Sequence, residues 1–280
     1  MNLLEAILLG IIQGLTEFIP ISSTAHLTIA GDLLGLVDPD HPKRWTSFIA
    51  IIQLGTLAAV LVYFQKEVRL IPWHWIKENF IQKKKYAVQS YESKMGWLII
   101  AGSVPIIIVG FTLKDFIQGS FTKDPIVIAS SLIILALILF MAEKMASFKK
   151  DITDIGWKDS IIVGIAQCFA LIPGSSRSGT TITAGLFTGM KRDVAARFSF
   201  LLSIPAILGS GLLSFFESLE YVTSDEILMI IVATIVSGIS GYAAIEFLLR
   251  YLKKHSTILF VNYRIILGVL LIFLVYTAVL

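Results

Sequence analysis

Long apolar stretches without a single charged side chain dominate this sequence. They span residues 45–64, 97–113, 125–142, 198–216, 227–245 and 265–280. Most approach the ~20 residues that an α-helix needs to cross the ~30 Å hydrocarbon core of a bilayer. A mean hydropathy of +0.81 agrees with this pattern. The chain is therefore expected to be an integral membrane protein with no room for a separate soluble domain.

Charge and cysteine content exclude several other classes. The net charge of +3 comes from basic residues scattered between apolar segments, which is not a nucleic-acid-binding face. The single cysteine, Cys168, excludes a disulfide framework and a thiolate-rich metal site. The first residues lack a basic region followed by a cleavage site, so we interpret them as mature chain rather than a signal peptide.

Two apolar regions differ from ordinary membrane-spanning helices. Six segments have the length and apolar composition of membrane-spanning helices, at roughly 45–64, 97–113, 125–144, 198–216, 227–249 and 262–280. Residues 3–34 and 160–190 are too long for one span, and each is interrupted by a Pro- and Ser-containing break. Both regions are therefore interpreted as re-entrant helical hairpins. The predicted fold class is an all-α polytopic membrane protein with about six transmembrane helices and two such hairpins.

The two breaks resemble each other. Placing Pro20-Ile-Ser-Ser over Pro173-Gly-Ser-Ser aligns the proline and both serines at an offset of 153. An apolar helix follows each break at nearly the same offset. We therefore predict one membrane domain over residues 1–280. Its parts are two repeats, approximately 1–115 and 155–280, and a connecting helix, approximately 125–146.

Loop charges orient these repeats. The 65–96 loop is rich in lysine and is expected to be cytoplasmic, whereas the acidic 217–226 loop is expected outside. The first break then enters from the outer face and the second from the inner face. This is an inverted-topology repeat, whose breaks meet within the membrane where such folds bind substrate.

Three ionisable side chains stand out inside the apolar regions: Glu17, His26 and Arg177. Each lies next to a break, and a charge at membrane depth is costly enough to suggest function. The alternative is that Glu17 and Arg177 form an ion pair that only joins the hairpins.

Residues of the first break suit metal binding and nucleophilic chemistry. Gln13 and Glu17 are four residues apart on one helix face, so their oxygens could hold Mg²⁺ or Ca²⁺ together with a substrate phosphate. Interhelical hydrogen bonding is the alternative for this pair. His26 follows Ser23 by three residues and could act as its general base or attack directly. The alternative to a catalytic pair is that the serine only caps the helix and the histidine only faces a pore.

The second break is typical of an anion site. In Pro173-Gly-Ser-Ser-Arg-Ser-Gly-Thr-Thr181, small residues let backbone N–H groups converge at a helix N-terminus, and Arg177 adds a forked cation. The expected anion is phosphate or pyrophosphate. Close helix packing is the alternative for such small-residue patterns, and we assign it to the pair Gly10 and Gly14.

These motifs resemble those of the bacterial undecaprenyl pyrophosphate phosphatase family. The similarity rests on Gln13-Gly-Leu-Thr-Glu-Phe-Ile-Pro-Ile-Ser-Ser-Thr-Ala-His26, on the second break and on Arg197-Phe-Ser-Phe-Leu-Leu-Ser-Ile-Pro205. It implies the inverted-repeat fold and an enzyme that removes the terminal phosphate of undecaprenyl pyrophosphate. It also implies a role in peptidoglycan synthesis, bacitracin resistance and divalent-cation dependence. Gln13 stands where family members carry Glu or Gln, and Ala25 where many carry Gly.

The resemblance and the residue patterns together give the expected site. The catalytic residues are Glu17, Ser23, His26 and Arg177. The substrate-binding residues are Ser22, Thr24, Gly174, Ser175, Ser176, Ser178 and Thr181. The metal ligands are Gln13 and Glu17, for Mg²⁺ or Ca²⁺.

A transporter or flippase of prenyl phosphate lipids is the alternative function, because it would need much the same fold and anion site. The cluster of acid, hydroxyl and histidine favours an enzyme. The expected partners are a prenyl pyrophosphate lipid and the bilayer, with no nucleic acid, and the sequence leaves a homodimer open. The expected location is the bacterial cytoplasmic membrane, with multiple crossings.

Overall fold

The computed structural model describes residues 1–37, 42–113, 124–218 and 226–277. Within these ranges the chain forms eleven α-helices and no β-strand, apart from one isolated bridge between Lys150 and Met190. The helices are α1 (Leu3–Phe18), α2 (Ser23–Leu33), α3 (Pro42–Tyr63), α4 (Gln65–Ile76), α5 (Tyr91–Thr112), α6 (Pro125–Met145), α7 (Trp157–Cys168), α8 (Arg177–Phe187), α9 (Arg192–Ser218), α10 (Ile227–Leu252) and α11 (Ile258–Tyr276).

Five of these helices are long and apolar enough to cross a membrane. They include Arg44–Tyr63 of α3 and the whole of α5, α6, α10 and α11. The sixth expected span, 198–216, lies inside the 27-residue helix α9. The prediction of an all-α polytopic membrane fold is confirmed.

The two predicted breaks are real interruptions of the helices. Helix α1 ends at Phe18 and α2 begins at Ser23. Helix α7 ends at Cys168, a 3₁₀ turn covers Phe169–Leu171, and α8 begins at Arg177. Both helices that follow a break have 11 residues.

The breaks also share their backbone geometry. Ser22 caps α2 with φ 76° and ψ 101°, and Ser176 caps α8 with φ 66° and ψ 114°. A left-handed glycine follows each helix, Gly35 with φ 63° and Gly189 with φ 90°. Both pairs are separated by 154 residues, so the predicted offset of 153 is wrong by one residue at the caps. Alignment on the prolines missed this because the capping serine, with its positive φ, is the position that the two breaks share. The inverted orientation and the domain boundaries stay predictions.

Helix α1 packs closely against α10. A Cβ on Gly10 would lie 2.5 Å from the Ala233 carbonyl oxygen, and one on Gly14 would lie 2.6 Å from the backbone nitrogen of Gly241. Neither position leaves room for a side chain, which confirms the expected close packing. Helix α8 contacts α6, α7 and α9, and nine of its eleven residues are buried. The second break is therefore held in the interior of the bundle.

Candidate functional site

The carboxylate of Glu17 is the point where the two breaks meet. Its side chain lies in the last turn of α1 and is 7% exposed. Oε1 accepts hydrogen bonds from Arg177 Nη2 and from Gln53 Nε2 (3.3 Å). Oε2 accepts from Ser23 Oγ at 2.7 Å and from Gln13 Nε2 at 3.1 Å. Four donors therefore converge on one buried carboxylate.

Arg177 is the first residue of α8, and its guanidinium forms an ion pair with Glu17. Ser178 Oγ reinforces this junction by donating to the carbonyl oxygen of Ile19 at 3.3 Å. The expectation that the breaks meet is confirmed. Replacing a buried ion pair by apolar residues is often neutral for stability. Stability alone therefore does not account for a charged pair at this depth.

Ser23 and His26 do not contact each other in the way the sequence suggested. Ser23 donates to Glu17, as described above, whereas His26 Nδ1 lies 2.7 Å from the Ser22 carbonyl oxygen and Nε2 lies 2.5 Å from Tyr263 Oη. No Ser23–His26 hydrogen bond occurs in the described part of the chain. The base within reach of the Ser23 hydroxyl is therefore Glu17, because the His26 ring folds back onto the cap of its own helix.

Serines of the second break hold the start of α8 in place. Ser176 Oγ accepts from Gly179 N at 3.1 Å and lies 3.1 Å from Ser178 Oγ. Ser178 Oγ also lies 3.5 Å from the Glu17 carbonyl oxygen, so this hydroxyl lies next to Glu17. In the first break, Ser22 Oγ caps α2 through Ala25 N at 3.4 Å.

Other expected substrate-binding residues make no hydrogen bond to the Glu17 side chain within the described residues. Thr181 Oγ1 donates to the Arg177 carbonyl at 2.8 Å and lies 2.5 Å from Ser199 Oγ. Gly174 and Ser175 are buried, and Ser175 Oγ has no hydrogen-bond partner among the described residues. Thr24 is exposed at the start of α2. The structure thus gives Thr181 and Gly174 supporting positions within the protein.

Arg264 is an important residue that sequence reasoning missed. Its side chain is fully buried in α11 and donates to the carbonyl oxygens of Leu132 (3.3 Å), Gly174 (3.3 Å) and Ser175 (3.0 Å). The last two carbonyls belong to the second break, so the hydrogen bonds of Arg264 hold the backbone of that loop in place. The predicted charge-free stretch began at 265, directly after it. The predicted span 262–280 already contained this cation, as the observed helix Ile258–Tyr276 does, so its cost at membrane depth should have been noticed.

Two further polar residues were also missed. Gln53 in α3 donates to Glu17, and Tyr263 in α11 contacts His26. Gln53 is the glutamine of an otherwise apolar, charge-free stretch, which is a signal that sequence reading could have used. No sequence pattern connects Tyr263 with His26, since they are 237 residues apart.

The metal prediction is compatible with the oxygens present. Gln13 Oε1 is buried and has no hydrogen-bond partner in the described residues, beside the carboxylate of Glu17. A buried oxygen without a donor suits a cation. The described residues contain no cluster of three His, Cys, Asp or Glu side chains that could hold a metal ion. Water or the oxygens of a bound phosphate would therefore supply the rest of the coordination shell.

Comparison with known proteins identifies the family. A family model described as bacitracin resistance protein BacA matches residues 6–270. This chain belongs to the BacA family. The match includes both breaks and extends into α11, so the resemblance drawn from the motifs is confirmed.

Relatives of this BacA-family chain share nearly its full length. A protein of Syntrophobacter fumaroxidans is 54% identical over 276 residues, covering 99% of this chain and 98% of the relative. A protein of Chloroherpeton thalassium is 49% identical, with 97% and 96% covered. One from Myxococcus xanthus is 47% identical, with 99% and 90% covered. All three are named undecaprenyl-diphosphatase.

Proposed function

We propose that this protein is an integral-membrane undecaprenyl-diphosphatase, which hydrolyses undecaprenyl pyrophosphate to undecaprenyl phosphate and inorganic phosphate. Family membership and the names of the relatives support this activity. The observation that carries it is the convergence of the Ser23 hydroxyl and the Arg177 guanidinium on the Glu17 carboxylate. The reaction recycles a lipid carrier for cell-wall synthesis, and its place is the bacterial cytoplasmic membrane.

Arg177 and the N-terminus of α8 bind the pyrophosphate in this proposal. The guanidinium can present two parallel N–H groups to phosphate oxygens. The free backbone N–H groups of the first turn of α8 would add to this binding, because the helix dipole favours an anion there. Substrate phosphate would take over Arg177 from Glu17, which leaves the Glu17 carboxylate more basic. Binding of the anion thereby prepares the base.

Ser23 is the proposed nucleophile. Its Oγ forms a bond to the terminal phosphorus as its proton passes to Glu17, to which it already donates a hydrogen bond. The anhydride P–O bond breaks, and undecaprenyl phosphate leaves with the electron pair. Water then cleaves the phosphoserine, releasing inorganic phosphate and restoring Ser23. His26, which lies on the same helix as Ser23, is proposed to exchange protons with the phosphate groups.

Gln13 and Glu17 are the proposed protein ligands of a divalent cation, Mg²⁺ or Ca²⁺. When bound, such an ion would offset the negative charge of the pyrophosphate. The orphaned oxygen of Gln13 supports this assignment. Gln13 contributes no negative charge, so substrate oxygens would contribute much of the binding.

Phosphate release from undecaprenyl pyrophosphate by the detergent-purified protein tests the function. We expect release that EDTA abolishes, that Mg²⁺ or Ca²⁺ restores, and that is lost in Glu17→Ala. No release from folded wild-type protein that still binds the lipid would contradict the proposal and favour the carrier alternative.

A phosphoenzyme trap tests the nucleophile. With substrate labelled in its terminal phosphate, rapid acid quenching should leave label on Ser23, and Ser23→Ala should carry none. Ser103→Ala is a matched control, because among the described residues this buried serine donates to Ile99 of its own helix and to no residue of the site. Absence of any labelled serine during turnover would exclude the covalent route and leave direct attack by water.

A further inference from the structure

Tyr263 contacts His26 from a distant part of the chain. The Tyr263 hydroxyl lies 2.5 Å from His26 Nε2, and the two rings stack with centroids 5.5 Å apart and planes at 8°. Tyr263 lies in α11 and is 42% exposed. The hydrogen bond and the stacking together determine both the position and the rotation of the imidazole.

The partners of His26 define its tautomer. Nδ1 lies 2.7 Å from the Ser22 carbonyl oxygen, which can only accept a hydrogen bond. Nδ1 therefore carries a hydrogen, and in the neutral ring Nε2 is the acceptor. The Tyr263 hydroxyl donates to that nitrogen. Nε2 is thus the nitrogen through which His26 can take up or give away a proton.

We propose that Tyr263 is a positioning residue of the active site, which holds His26 in the Nδ1–H tautomer and keeps Nε2 as the proton acceptor until a phosphate oxygen of the substrate takes the place of the Tyr263 hydroxyl. This inference rests on the proposed function, in which His26 exchanges protons with the phosphate groups. The next residue, Arg264, donates to two carbonyls of the second break. Two neighbouring side chains of α11 therefore contact the two halves of the site: Tyr263 contacts His26 after the first break, and Arg264 contacts the second break. Helix α11 thereby fixes the position of the imidazole relative to the anion-binding loop.

Tyr263→Phe tests this role because it keeps the ring and removes the hydroxyl. Tyr276→Phe is the matched control, since it makes the same change in the same helix at a side chain that is 82% exposed. Selective ¹⁵N labelling of histidine, with His26 assigned through His26→Gln, reports the Nε2 resonance. We expect this resonance to move toward that of a free acceptor nitrogen in Tyr263→Phe and to stay unchanged in Tyr276→Phe.

Kinetics give the second measurement. For Tyr263→Phe we expect kcat for phosphate release to fall about tenfold, a part of the roughly 10²- to 10⁴-fold that a positioned acid–base group contributes. KM should stay close to the wild-type value, and the pH profile of kcat should shift. Tyr276→Phe should match the wild type in both.

The outcomes separate this inference from the proposed function. An Nε2 resonance that is the same in Tyr263→Phe and wild type would overturn the inference. A shifted resonance with wild-type kcat and pH profile would overturn it too, because the contact would then have no bearing on the reaction. An inactive wild-type protein would refute the phosphatase itself, and the resonance would still report the His26–Tyr263 contact.

Discussion

A single methyl group at Gly174 should disturb both the stability and the activity of the protein. Gly174 has φ 84°, a conformation in which side chains are strained. A Cβ there would overlap the Ser131 hydroxyl and the Ile128 carbonyl oxygen, both closer than 3.0 Å. The hydroxyl belongs to a side chain that can rotate, but the carbonyl belongs to the backbone of α6. The loop must therefore move away from α6.

Two costs add up in Gly174→Ala. The left-handed conformation costs about 1–2 kcal/mol for a residue with a Cβ. Overpacking against a fixed backbone costs about 1–3 kcal/mol more. The loop cannot shift freely, because Ser131 donates to the Pro173 carbonyl and Arg264 to the carbonyls of Gly174 and Ser175. We expect a total destabilisation of about 2–5 kcal/mol.

Gly35→Ala isolates the conformational cost. Gly35 has φ 63°, but a Cβ there would meet none of the described residues within 4 Å. Thermal unfolding in detergent should therefore show a loss of about 1–2 kcal/mol for Gly35→Ala and a clearly larger one for Gly174→Ala. Phosphate release should fall at least about tenfold in Gly174→Ala alone, since misplacing groups in an active site is costly. Equal melting temperatures for the two variants, with full activity in both, would refute the reasoning.

Three further variants test other contacts of the site. Ser176→Ala should lower the free energy of unfolding by about 1 kcal/mol, whereas Ser176→Gly should lower it by only a few tenths of a kcal/mol, because glycine tolerates both the cap position and its positive φ. Equal losses in the two variants would contradict the capping role. Arg264→Lys should reduce phosphate release about tenfold, because one ammonium cannot reproduce the fork that reaches two carbonyls of the second break; a full rate would argue against this. Glu17→Gln should abolish phosphate release and lower the free energy of unfolding by about 3–5 kcal/mol, since it leaves Arg177 buried without its counter-charge. A variant as stable as the wild type would show that Arg177 finds another partner.

Hydropathy and breaker residues were sufficient to predict much of the fold. A helix in a bilayer must satisfy its own backbone hydrogen bonds, so long apolar stretches without charges can be little else than spans. Pro20 and Pro173 marked the two interruptions for the same reason, because proline cannot continue the hydrogen-bond pattern. The meeting of the two breaks followed from the predicted inverted repeat, whereas the ion pair between Glu17 and Arg177 was expected only as the alternative to a functional role.

Contacts between distant segments could not be predicted in this way. Whether Ser23 donates to Glu17 or to His26 depends on how α2 leaves the break, which is determined by the positive φ of Ser22. No local pattern reveals that angle, since serine seldom adopts it. The bond between Tyr263 and His26 likewise depends on where α11 packs. Contacts between residues so distant in sequence depend on the tertiary structure, and a single sequence does not indicate them.

The two breaks share their backbone geometry, but the charged side chains of the site are not distributed equally between them. At the observed offset of 154, Ser22 corresponds to Ser176, and Gln13 corresponds to Gln167. The scaffold of the two breaks is therefore alike.

The residues that carry the charges differ between the halves at that same offset. Ser23 and Arg177 occupy equivalent positions, each the first residue of the helix that follows its break. Glu17 corresponds to Leu171, so only the first half supplies a carboxylate there. Both equivalent side chains reach that one carboxylate, Ser23 at Oε2 and Arg177 at Oε1. Two breaks of like geometry thus bring a hydroxyl and a cation to the two oxygens of the same acid, which is the arrangement that the proposed phosphoryl transfer to Ser23 uses.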